Sequence, residues 1–146
     1  MVQVAGGWLC DQVLAGWDVT VATADHEDQR ALRILGVRGG DLESALVVPL
    51  QGPCLRAIAV EAELYVADER VHQLVRAAAE AGRTEIRVWG DAWPTDLETR
   101  TDRVSHRLSA AARAFKAQAL AATAADAWPA DTEEFRRGAV RRLALA

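Results

Sequence analysis

At 146 residues, 51% of them hydrophobic and 26% charged, the chain has the make-up of an ordinary globular domain, long enough to bury a core without disulfide or metal staples. This composition excludes wholesale disorder, and no run approaches the roughly 18 apolar residues needed to span a membrane. A net charge of −4 and a pI near 5.4 argue against a dedicated nucleic-acid or membrane-surface binder.

Residues 3–15 place Val4, Trp8, Leu9, Val13 and Leu14 near helical spacing, with Gly16 as a stop and with Gly6 and Gly7 weakening the pattern. The β-branched residues of 17–23 predict a strand. A short helix over 28–35 follows, capped by Gly36, then a turn at Gly39 and Gly40, then a brief helix from Leu42 to Val47 with Asp41 as its N-cap. Pro49, Gly52 and Pro53 form a loop. Leu55 to Val60 reads as a strand that extends toward Tyr65. Asp68 to Ala81 reads as a helix with Val71, Leu74, Val75 and Ala78 on one face and Gly82 as its end, and Thr84 to Trp89 as a second strand. Strand, helix and strand with short joints make a βαβ unit, whose two strands are expected to be parallel.

After a loop through Trp93 and Pro94, the pattern predicts one long helix over 101–123. Val104, Leu108, Ala111, Phe115, Ala119 and Ala122 form its apolar stripe, so Val104, Leu108 and Phe115 are expected to be buried. Arg103, His106, Arg107, Arg113 and Lys116 fall outside that stripe. Asp131 and Glu134 fit a capping box for a last helix with Phe135, Ala139, Val140 and Leu143 inward and Arg136, Arg137, Arg141 and Arg142 outward. The expected fold is therefore a single α/β domain over 1–146. It has a small, mostly parallel sheet of three to four strands, helices on both faces and two C-terminal helices in a basic part, 101–146. The charge is correspondingly uneven, with 9 Arg against 16 Asp and Glu over 1–100, and 8 Lys and Arg against 5 acids over 101–146.

No motif in the chain names an activity. Gly36 to Asp41 is glycine-rich but follows a helix, whereas a phosphate-binding loop follows a strand and opens a helix. In open parallel sheets ligands lie at the C-terminal strand edges, which puts Asp25, His26, Glu61 and Asp91 forward as candidate ligand-binding residues, with Glu63 beside them. Their spacing matches no metal motif, so neither metal nor cofactor is expected. Cys10 stands beside Asp11 with no histidine in fixed relation to it, and Ser44, Ser105 and Ser109 lack a nucleophile elbow. His26, His72 and His106 read as solvated surface histidines. Cys10 and Cys54 form no CxxC pair and are expected to be reduced and buried.

Trp93 and Trp128 each precede a proline, which favours extended loop segments and makes them candidate exposed anchors for a partner. Arg103, Arg107 and Arg113 complete the candidate interaction surface. Lys116 is the sole lysine among 17 basic residues in an alanine-rich chain, a bias expected of GC-rich bacterial coding. The N-terminal stretch has no basic segment before an apolar one, so no signal peptide is expected and the location reads as cytoplasmic. Together these features suggest a non-enzymatic interaction or accessory protein that self-associates as a homodimer or binds another protein. Two alternatives are a small Rossmann-like enzyme acting on a phosphorylated ligand through strand-end carboxylates, and a nucleic-acid-associated factor using the basic C-terminal helices.

Overall fold

The computed structural model describes residues 1–24, 29–47, 56–91, 101–123 and 127–138 of the chain. In order run α1 (Val2–Leu14), β1 (Thr20–Thr23), α2 (Gln29–Ile34), β2 (Arg38–Asp41), α3 (Leu42–Val47) and β3 (Ala57–Glu61). There follow α4 (Ala62–Ala67), α5 (Glu69–Ala81), β4 (Glu85–Trp89), β5 (Thr101–Arg107), α6 (Ala110–Ala122) and β6 (Thr132–Gly138). The fold is mixed α/β, with a parallel pair β1-β2 and a mixed four-stranded sheet in the order β3-β4-β6-β5. The chain forms two compact units, Met1–Val48 with Ser105–Glu133, and Pro49–Val104 with Glu134–Ala146. Among the described residues no helix is long and apolar enough to cross a membrane.

The second unit contains the βαβ element read from the sequence. β3 and β4 are parallel, in a register that sets Ala57 beside Glu85 and Glu61 beside Trp89. α5 returns the chain between them and buries Val71 and Val75, while β4 buries Ile86 and Val88 by period-two alternation. Its start is fixed by Asp68, whose carboxylate accepts the Arg70 N–H at 2.9 Å. The Arg70 side chain and N–H hold that carboxyl down at about 2. Its end is fixed by Gly82, in the left-handed region at φ 66°. The strand does not run on to Tyr65. The chain turns into α4 directly after Glu61, burying Ala62 and Tyr65, and the Tyr65 ring meets His72 edge-on at 4.7 Å.

The first unit is built around α1, which packs against α6, as does α2. From Ala5 to Cys10 every residue of α1 is buried, so the helix has no solvent face over those residues. Gly6 and Gly7, which weaken the helix as a local pattern, allow this enclosure. A Cβ on Gly6 would meet Leu35 and Val2 side chains at 3.3 Å, and one on Gly7 would overlap Leu108. α3 begins as expected, with Asp41 Oδ2 accepting the Ser44 N–H at 2.8 Å.

Several sequence expectations are corrected. Residues 38–41 are not a turn but β2, paired in parallel with β1 from Thr20 beside Arg38 to Thr23 beside Asp41. The helix expected over 101–123 is two elements. Residues 101–107 form β5, and only Ala110–Ala122 is helical, capped by the Ser109 hydroxyl, which accepts the Ala112 N–H at 3.0 Å. The last helix is absent over 132–138. Those residues form β6, antiparallel to β4, so the larger sheet is mixed rather than mostly parallel. Residues 139–146 lie outside the described residues.

Burial on the long helix changes accordingly. α6 turns Ala112, Lys116, Ala119 and Leu120 inward, and Phe115 is 44% exposed rather than buried. Leu108 is buried as expected, though it precedes the helix, and Val104 is only half-buried. The alanines of this segment distinguish one helical face from another only weakly, so the apolar stripe had no unique setting.

Candidate functional site

Two polar clusters give the first unit its chemistry. In the first, Asp11 of α1 receives two partners from residues almost a hundred positions away. His106 Nε2 lies 2.8 Å from Asp11 Oδ2, and the Ser109 N–H donates to the same oxygen at 3.1 Å. Both side chains are largely enclosed, at 24% exposure for His106 and 14% for Asp11. Burial pushes the Asp11 carboxyl up. The hydrogen bonds from Ser109 and His106 outweigh it and hold the group below its ordinary 3.8. Next to it in sequence, Cys10 is buried, and that burial together with the Asp11 charge pushes its thiol up, away from the reactive thiolate.

Aspartate, histidine and serine thus come together, but not in the order nucleophilic catalysis uses. A catalytic imidazole stands between carboxylate and hydroxyl. Here the carboxylate stands between imidazole and serine, and the Ser109 hydroxyl holds the first turn of α6. The arrangement orients the corner from β5 into α6 against α1.

This corner has a pH signature. Because the folded carboxyl sits below 3.8, Asp11 contributes stability above that value and loses it as pH falls through its lowered folded value. Asp11→Asn is expected to cost about 1–3 kcal/mol at neutral pH. The difference from the parent should shrink on acidification below about pH 4. Denaturant titrations of both proteins at neutral and acid pH check this, and a gap that widens in acid would contradict it.

The second cluster is a buried ion pair. Lys116 Nζ lies 2.6 Å from Glu133 Oε1, with side-chain exposures of 1% and 2%. Each partner also reaches the backbone of α1. Lys116 donates to the Gln3 carbonyl at 2.6 Å, and Glu133 accepts the N–H groups of Gly7 and Trp8 at 2.8 and 2.7 Å. Gln3 C=O and Gly7 N–H stand four residues apart in α1, the spacing of one rung of a regular helix ladder. The ion pair thus engages both of these backbone groups, and their hydrogen bonds help satisfy two charges that burial alone would make costly.

The predicted site residues fall in several places. In the second unit Glu61 and Asp91 are exposed near the C-terminal ends of neighbouring parallel strands. Glu63 lies over Gly90, where a Cβ would approach its carboxylate to 2.5 Å, and accepts the Asp91 N–H at 3.3 Å. Asp25, His26, Trp93 and Cys54 lie outside the described residues. Among the described residues no three of His, Cys, Asp and Glu assemble as a metal set.

The candidate interaction residues are nearer the surface. Arg103 and Arg107 are exposed on β5, and Arg113 forms an exposed ion pair with Asp131. Among the described residues Trp128, at 93% exposure, is the most open of the large apolar side chains, and Phe115 and Trp17 add exposed rings in the same unit. The two histidines among the described residues are not simple surface groups, and His26 lies outside them. His106 is bonded to Asp11, and His72 is half-buried against Tyr65. Comparison with protein-family models, curated proteins and solved structures finds no match to this chain.

Proposed function

We propose that the chain is a non-enzymatic interaction protein that associates with a second copy of itself through the first unit, with Trp128 as the anchor. The supporting observation is the 93% exposure of the Trp128 ring, with Phe115 at 44% on α6. Enclosing an indole removes on the order of 150–250 Å² from water. At about 25 cal/mol per Å² that is a gross gain of roughly 4–6 kcal/mol, before the cost of association. The outward positions of α6, Ala110, Ala111, Ala114 and Ala121, are small and admit a close neighbour, and Gln118 supplies polarity. An acidic body and a basic C-terminal part add charges that can meet their opposites across a two-fold interface.

The enzyme alternative draws on Glu61 and Asp91 at neighbouring strand ends, and the nucleic-acid alternative on Arg103 and Arg107. The interaction reading ranks above them because it rests on exposed apolar surface, which costs free energy in water unless a partner covers it.

Trp128→Ser and Phe115→Ser test it by sedimentation equilibrium. Each is expected to weaken self-association by about tenfold or more. Folding stability should stay within about 0.5 kcal/mol for Trp128→Ser, since the ring is open in the folded chain. Unchanged association in both variants would refute the assignment of the surface.

A further inference from the structure

We draw no further inference here: the strongest candidate, the acidic cluster of Glu61, Glu63 and Asp91 at the C-terminal edge of β3 and β4, carries nothing, because Glu63 already closes the turn after β4 and no ligand-directed group accompanies the exposed Glu61 and Asp91 among the described residues.

Discussion

Replacing Lys116 by Met is expected to destabilise the fold by about 3–5 kcal/mol, a large share of the roughly 5–15 kcal/mol that holds a domain together. Methionine matches the aliphatic stem of lysine, so packing is nearly conserved. What is lost is the ammonium 2.6 Å from Glu133 Oε1 and its hydrogen bond to the Gln3 carbonyl. Glu133 then keeps a buried charge that, among the described residues, only the Gly7 and Trp8 N–H groups offset. The second change in the test is Glu133→Gln, which removes that charge while leaving a carbonyl to accept from α1. The double variant should therefore be more stable than Lys116→Met alone, a coupling that separate surface charges do not show. Urea titration of the four proteins measures it. A single variant within about 1 kcal/mol of the parent would mean that the pair does not carry the burial it appears in.

Gly7→Ala should produce the second large loss, despite giving α1 a better helix former. Alanine gains about 1 kcal/mol over glycine in a helix interior. Against this, the new Cβ would stand 2.5 Å from Leu108 Cγ and 3.1 Å from Glu133 Oε1, inside the enclosed heart of the first unit. Leu108 is buried and its branch point cannot swing away without moving the corner before α6. Overpacking of this kind typically costs about 1–3 kcal/mol, and here it also displaces the carboxylate that bonds the helix. Gly6→Ala is the control. Its Cβ meets Leu35 and Val2 side-chain methyls at 3.3 Å, a contact that a shift of a few tenths of an ångström relieves. Thermal melts should show Gly7→Ala well below the parent and Gly6→Ala near it. Equal melting temperatures for the two would remove the steric argument.

How much of this was legible in the sequence depends on how local each signal is. α5 could be read almost residue by residue, because its cap, its apolar face and its terminating glycine all lie within fifteen positions, and the parallel pairing of β3 with β4 followed from it. β6 could not. Its inward residues are Glu133 and Phe135, and a buried glutamate breaks the apolar alternation that marks a strand. The partner that makes this burial tolerable, Lys116, is on another element, so each member of the pair reads as a surface charge on its own. The Asp131–Glu134 spacing then imitated a helix start that pairing with β4 overrode.

The same reasoning applies to β5 and the Asp11 corner. Thr101–Arg107 contains one large aliphatic residue, Val104, which also fits the helical periodicity of the alanine-rich segment after it, so the pattern does not mark the strand. β2 was hidden by its two glycines, which are poor strand formers. Gly39 lies so close to the Gln29 side chain that a Cβ there would overlap it. Asp11, His106 and Ser109 meet only through the packing of α1 against the β5–α6 corner, and no spacing in the chain records that meeting. Trp128 is different. The proline after it was a local sign of an extended segment, and the ring is open to solvent.

Light scattering of the intact chain at micromolar concentration, in low and in high salt, tests the central claim most directly. Contacts made by exposed aromatic rings resist screening, whereas contacts made by charge alone do not. The account predicts a mass of at least twice 15.8 kDa that persists in high salt. A 15.8 kDa monomer under both conditions would contradict it.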